Sequence, residues 1–203
     1  MIIGVDFDNT VIDYSSLFFD VGRRLKLLPD LDDTDKLSVK SYLCSKNEED
    51  KYTFIQGLVY GRYISYAKIM NGFEDFIKRC AELRWTVFII SHKTSKPVIG
   101  DDINLHKSAL DWLEVNEIYG DDIKTAVSGV FFEESRENKI SIINELRCDV
   151  FIDDLLEVLM HPDLNSNVLK IFFNPNHQNC SGGVINAENW SEIEDLIRMN
   201  IDD

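Results

Sequence analysis

Ile2-Ile3-Gly4-Val5-Asp6-Phe7-Asp8-Asn9-Thr10 is a short apolar run that breaks abruptly into carboxylates. Four apolar or small residues in a row fit a strand buried on both faces. In an open parallel sheet, ligand sites form just beyond the carboxyl ends of the strands. Residues two apart on extended backbone point the same way, so Asp6 and Asp8 meet at that edge. Two carboxylates this close repel and require a cation or a shared proton. A hard divalent ion with oxygen ligands, such as Mg²⁺, answers that requirement.

Further apolar runs follow at Val87–Ile90, Val130–Phe132, Val150–Ile152 and Val168–Phe173. Between them lie helical stripes: Phe73, Phe76, Ile77, Cys80 and Leu83; Leu105, Ala109, Trp112 and Leu113; Ile140, Ile143 and Leu146. Strand alternating with helix predicts an α/β fold. We expect a Rossmann-like parallel sheet of about five strands with helices on both faces. Ser191 and Glu194 have capping-box spacing and predict the start of a last helix. The first two strands are separated by about 80 residues, far more than one crossover helix needs. Leu17, Val21, Leu25 and Leu28 make one stripe in that interval. Tyr52, Ile55, Val59, Tyr63 and Tyr66 make another, and Pro29-Asp30-Leu31-Asp32-Asp33 reads as a loop between them. Residues 14–70 are therefore expected to form a small all-helical insertion, with 1–13 and 71–203 as the core.

The chain has 203 residues and a formal net charge of −15. Such acidity disfavours duplex nucleic acid and anionic membrane surfaces as partners, because both recruit positive surface. Cys44, Cys80, Cys148 and Cys180 form no CxxC pair, which favours reduced thiols over a disulfide framework or zinc site. Neither a basic leader nor an 18-residue apolar stretch is apparent, so a cytoplasmic protein is expected.

Three more positions attract attention, each with an ordinary structural reading beside the chemical one. Asp153-Asp154 ends the run Val150-Phe151-Ile152; it suits a metal site, or equally an N-cap with an acidic first turn. Ser91 ends the second core strand and can donate its hydroxyl to an oxyanion, or serve a turn. Lys139 stands early in a helix, where a lysine is ordinarily solvated.

Their order along the chain is strand-DxDxT, strand-Ser, helix-Lys, strand-DD. This resembles the haloacid dehalogenase-like hydrolase superfamily, whose four motifs come in that order on a Rossmann-like sheet. The residues that carry the resemblance are Asp6-Phe7-Asp8-Asn9-Thr10, Ser91, Lys139 and Asp153-Asp154. The first motif is specific, whereas the Ser and Lys motifs are individually weak. The resemblance covers the core and implies that residues 14–70 are a helical cap. It implies phosphoryl transfer through an aspartyl-phosphate, with Asp6 as nucleophile and Asp8 as general acid and base. Thr10 would orient Asp8 or its loop within the phosphate-binding region. Ser91 and Lys139 would bind phosphoryl oxygens. Asp6, Asp8 (through its backbone carbonyl), Asp154 and Asp153 would surround Mg²⁺, with Asp154 as the direct ligand of the pair. Glu157 stands four residues after Asp153, where it either assists the metal shell or is an exposed helix glutamate. Lys93 and Lys96 compete with Lys139 for the phosphate.

Dehalogenases of the superfamily lack the second acid, so Asp8 points to a phosphate ester as substrate. Receiver domains also combine aspartates, a hydroxyl and a lysine on a doubly wound sheet. Their double Asp follows the first strand and their lysine comes last, the reverse of the order here. A catalytically silent binding protein is a further alternative.

Residues 14–70 hold six of the seven tyrosines: Tyr14, Tyr42, Tyr52, Tyr60, Tyr63 and Tyr66. Most are expected to build a small, partly wet core, with some left to line a nucleobase or sugar pocket. Arg62 is the preferred substrate-recognition residue. His92 follows Ser91 and either faces the pocket or makes a local structural hydrogen bond. The insertion is close to neutral, so the acidity belongs to the core. The expectation is an Mg²⁺-dependent hydrolase of a small phosphorylated metabolite, a nucleoside monophosphate or sugar phosphate.

Overall fold

The computed structural model describes residues 1–175, 177 and 182–201. The opening run forms β1 (Ile2–Val5). A tight turn leads to β2 (Ile12–Asp13), then helices α1 (Leu17–Arg24), α2 (Lys36–Ser45) and α3 (Glu49–Tyr60). A 3-10 turn at Ile64–Tyr66 precedes β3 (Lys68–Ile69), which pairs antiparallel with β2. Alternation follows: α4 (Phe73–Glu82), β4 (Thr86–His92), α5 (Leu105–Val115), β5 (Val127–Glu133) and α6 (Arg136–Glu145). The chain closes with β6 (Val150–Asp153), α7 (Leu156–Leu159), β7 (Leu169–Phe173), β8 (Ile185–Ala187) and α8 (Trp190–Ile201).

Six strands make one sheet in the order β5-β4-β1-β6-β7-β8, all parallel. That is one more than the five apolar runs predict. The addition, β8, is a three-residue edge strand too short to register as a run. The chain builds outward from β1 through β4 to β5, then crosses to β6 on the other side. The crossing makes β1 and β6 the switch point, where a crevice opens at the strand ends.

Successive strand residues face opposite layers. On β4, Ile89 packs in a cluster with Phe73, Phe76, Trp112 and Ile193, from α4, α5 and α8. Its neighbour Ile90 joins Ile140, Ile143, Val158 and Leu159, from α6 and α7. Helices therefore cover both faces, as the alternation predicts. Gly4 lets the layers close on β1: a Cβ there would lie 2.6 Å from the Phe151 ring.

The helical insertion is built by α1, α2 and α3 packing on one another. Phe18, Val21, Leu43, Ile55 and Val59 fill its interior and continue into the cluster beneath the sheet. Helix α3 lies against the segment ahead of α5. A Cβ on Gly57 would meet Pro97 at 2.8 Å, and one on Gly61 would meet Ile103 at 2.9 Å. These two glycines, one turn apart, permit the close approach that sets α3 over the strand ends.

The last helix begins one residue before the predicted cap. Asn189 accepts from the Glu192 amide, and the Glu192 carboxylate accepts from the Glu188 amide. Glu194 is free of capping duty and binds Arg79 and Arg198. The Trp190 indole donates to the Thr10 carbonyl at 3.1 Å, tying this helix to the first motif. Cys44, Cys80 and Cys148 are free thiols; Cys180 lies outside the described residues. Among the described residues, no helix is long and apolar enough to cross a membrane.

Candidate active site

The carboxyl ends of β1, β4 and β6 converge. Asp6 follows β1, and its amide donates to the Ile152 carbonyl at 2.9 Å, which holds the two strand ends in register. Ser91 is the penultimate residue of β4, and its hydroxyl donates to Asp6 Oδ1 at 2.9 Å. Lys139 reaches in from the first turn of α6, a helix capped by Ser135, whose Oγ accepts from the Asn138 amide. The Lys139 ammonium lies 2.5 Å from Asp6 Oδ1 and 2.6 Å from Asp153 Oδ2. Its side chain is 1% exposed, so the solvated-lysine reading does not apply.

Asp153 and Asp154 divide their labour. Asp153 is fully buried and uses both oxygens, one for Lys139 and one to accept from the Leu155 amide at 2.9 Å. The N-cap reading of this pair is not met: Leu155 stands at the cap of α7, and the Asp153 bond to its amide is a local turn ahead of the helix. Asp154 turns to the cleft and accepts from Asn9 Nδ2 at 3.2 Å. Glu157 pairs with Arg136 at 2.7 Å on the surface.

Among the described residues, Asp6, Asp153 and Asp154 are the acids gathered as a metal group, with one oxygen from each within 4.8 Å of the others. When all are ionised, these three carboxylates beside the single ammonium of Lys139 carry two surplus negative charges, which a divalent cation would balance. Burial pushes Asp153 up to about 7, against the pull of Lys139. Burial, then Asp6 and Asp153, raises Asp154 well above the usual carboxylate range. Burial alone would lower Lys139, but Asp153 and Asp6 hold its ammonium above the ordinary lysine range. The donor set, all carboxylate oxygen, fits Mg²⁺ or another hard divalent ion.

Asp8 stands apart from this group. Lys93 Nζ contacts its two oxygens at 2.9 and 3.0 Å, and the Tyr14 hydroxyl donates to Oδ1 at 2.8 Å. The loop between Asp8 and β2 is wound tightly, with the Phe7 carbonyl accepting from the Val11 and Ile12 amides. Asn9 takes φ 60° there, a left-handed turn that asparagine tolerates better than most residues. Phe7 points the other way, packed edge-on against Trp112 and Phe132. Lys93 is also fixed through its backbone: its amide donates to the Glu133 carbonyl, and its own carbonyl lies 2.6 Å from His106 Nε2. Burial, then the neighbouring Asp8 carboxylate, raises the Tyr14 phenol well above its ordinary range, so it is a neutral donor.

A cleft of about 350 Å³ opens above these groups. Its floor includes Asp6, Asp8, Ser91, Lys93, Lys139 and Asp154; its roof includes Lys36, Thr53, Gln56 and Tyr60 from α2 and α3. His92 lines it, as the sequence suggested. Thr10 does not: it is fully buried, its hydroxyl has no hydrogen-bond partner among the described residues, and its carbonyl serves Trp190. Arg62 lies outside the lining too, paired at the surface with Asp101 at 2.5 Å. Of the six tyrosines in the insertion, Tyr60 lines the cleft, Tyr14 holds Asp8 and Tyr52 stacks on Phe18.

Sequence reasoning missed Asn9, Lys36 and Tyr14 as site residues and undervalued Lys93. Lys93 lies two residues beyond Ser91, and that spacing carries a signal. Lys36 gives none, since it follows Asp32-Asp33-Thr34-Asp35 and reads as part of a solvated charged stretch.

No family model matches the chain, and no curated protein does. Solved structures do. A putative haloacid dehalogenase-type hydrolase from Bacillus subtilis, bound to magnesium, is similar at 12% identity and TM-score 0.62, with 98% of each chain covered. A superfamily hydrolase from Ehrlichia chaffeensis is similar at 14% identity and TM-score 0.57, covering 98% of this chain and 97% of its own. A predicted phosphoglycolate phosphatase from Haemophilus somnus matches at 12% identity and TM-score 0.57, with 96% of each chain covered. The fold is that of the haloacid dehalogenase-like hydrolases, in agreement with the resemblance carried by the four motifs.

Proposed function

We propose that the protein is a phosphate-monoester hydrolase working through an aspartyl-phosphate, with a small phosphorylated metabolite as substrate. The observation that carries this reading is the separation of two acids at one cleft. Asp6 is held among Ser91, Lys139 and the Asp153–Asp154 pair, while Asp8 is held apart by Lys93 and Tyr14. One oxygen of Asp6 attacks phosphorus as the bond to the ester oxygen breaks. The Asp8 carboxyl, ion-paired with Lys93 in the empty cleft, must carry a proton when the ester is bound, and gives that proton to the leaving oxygen. Ser91 and Lys139 offset charge on the phosphoryl oxygens. Asp8, now ionised, takes a proton from water, whose oxygen attacks the acyl phosphate. Inorganic phosphate leaves and the Asp6 carboxylate is restored.

Asp6, Asp154 and the backbone carbonyl of Asp8 would hold Mg²⁺, with Asp153 behind them. When bound, the ion neutralises phosphoryl charge and orients the ester for in-line attack. Residues 1–13 and 71–203 would be the catalytic core and 14–70 a cap. The β2–β3 pair, which brings the chain back beside its point of departure, supports that division.

The test is release of phosphate from an aryl phosphate with and without Mg²⁺, in the wild type and Asp6→Asn. Metal-dependent turnover that Asp6→Asn abolishes, with the fold intact by circular dichroism, is the expected result. Wild-type rates in the variant would sink the nucleophile assignment. A stable phosphoenzyme without turnover would point instead to signalling.

A further inference from the structure

We propose that Lys36 recognises a second anionic group on the substrate, so that the hydrolysed ester carries a carboxylate or a further phosphate besides the scissile one. This rests on the phosphatase reading and narrows its substrate class. The cleft is lined by four strongly basic side chains, Lys36, Lys93, Lys139 and Arg136. Three are neutralised within the protein: Lys93 by Asp8, Lys139 by Asp6 and Asp153, and Arg136 by Glu157. Among the described residues, Lys36 alone of the four makes no ion pair with a carboxylate. Its ammonium donates to the Tyr60 hydroxyl at 3.0 Å and lies 5.3 Å from the Phe18 ring centre and 5.6 Å from that of Tyr60. An ammonium has three donors, and the phenol takes one. Aromatic faces attract the charge but leave its remaining N–H groups open to a ligand.

The side chain is also positioned rather than trailing. Lys36 is the first residue of α2, and the Asp35 carboxylate ahead of it is spent on capping, accepting from the Leu37 and Ser38 amides. The aromatic wall then directs the lysine stem toward the cleft. Thr53 and Gln56 of α3 line the same wall with neutral polar groups, which suit the remainder of a small polar substrate. The scissile phosphoryl group is served from the floor by Ser91 and Lys139; Lys36 feels the charge of Asp8 and Asp154 without bonding to either, which leaves its free N–H groups for a second anion. Recognition from the roof also addresses the unfavourable field of a chain with net charge −15. A local, half-desolvated cation selects an anion that long-range electrostatics would repel.

Two matched pairs of esters test this: 3-phosphoglycerate against glycerol 3-phosphate, and propane-1,3-diol bisphosphate against 3-hydroxypropyl phosphate. Within each pair only the anionic tail differs, and the pairs separate carboxylate from phosphate recognition. With Mg²⁺, the wild type should favour the charged-tail member of at least one pair by about tenfold in kcat/KM, the scale of a single polar contact. Lys36→Met should bring that ratio to about one through KM, and Lys36→Arg should keep most of it. Because the readout is a ratio within one variant, partial misfolding does not imitate it. Absence of a preference in the wild type, or equal loss on both members in Lys36→Met, would overturn the inference alone. Failure to release phosphate from any of these esters, and from the aryl phosphate, would overturn the phosphatase reading and this inference with it.

Discussion

The floor and the roof of the cleft are built on opposite electrostatic principles. On the floor, Asp6, Ser91, Lys139 and Asp153 are almost fully buried and bonded to one another. Each charge there has a partner, and the surplus is negative, confined to the place where a cation fits. On the roof, the charge is a single lysine leaning on aromatic rings, with no carboxylate ion-paired to it among the described residues. A floor fixed by internal pairing can perform one chemistry on any ester that reaches it. A roof with an unpaired cation can choose which ester arrives. On the proposed function, the division would put the chemistry at strand ends held by the sheet and the selectivity in helices attached through a short β2–β3 neck.

The sharpest way to break this contrast is to remove the cation from the floor. Lys139→Met leaves Asp6, Asp153 and Asp154 buried without their ammonium. Losing one partner of a buried pair costs about 3–5 kcal/mol. The variant should be inactive and unfold at clearly lower urea, and Mg²⁺ should restore part of the loss by replacing the missing positive charge. Lys36→Met on the roof should cost far less stability, because no carboxylate is stranded. Equal urea midpoints for the two variants would erase the distinction.

That contrast also explains what could be read from the sequence. The floor was legible because strand geometry converts sequence position into spatial position. An apolar run fixes where the chain ends its strand, and the next residue falls at the sheet edge. This puts Asp6, Ser91 and Asp153-Asp154 at the sheet edge, and the resemblance gives them, with Lys139, their chemical roles. The edge strand β8 was not legible, since three residues with one large apolar side chain leave no period to detect. The roof was hidden for a different reason. Whether Lys36 or Arg62 enters the cleft depends on how α2 and α3 pack on the core, and Gly57 and Gly61 govern that packing without announcing it. Arg62 sits beside Gly61 yet pairs outward with Asp101, while Lys36, in an acidic stretch, turns inward.

Within the floor, the adjacent aspartates should separate two properties. Asp154→Asn alters the residue facing the cleft and should raise the Mg²⁺ concentration for half-maximal activity more than Asp153→Asn does. Asp153→Asn takes away a fully buried partner of Lys139 and should lower the thermal midpoint more. Titrating Mg²⁺ against activity and melting both variants checks the two orders together. If one variant leads in both measurements, the two residues do not divide metal binding from support as their hydrogen bonds suggest.

The smallest effect belongs to the seam, where the insertion touches the floor through Tyr14. Its hydroxyl donates to Asp8 at 2.8 Å, and its ring is packed beside Phe18 and Tyr60 with centres 6.4 and 4.9 Å away. Tyr14→Phe keeps the ring and deletes the donor. A hydrogen bond to a charged group is worth about 1.5–3 kcal/mol. Lys93 still grips both oxygens of Asp8, so the loss should fall at the lower end, about tenfold in kcat with KM little changed. Such a split would mean that Tyr14 orients the acid for proton transfer, linking the insertion to the chemistry as well as to selection. A wild-type kcat accompanied by a lower melting temperature would confine Tyr14 to packing, and the seam would then belong wholly to the roof.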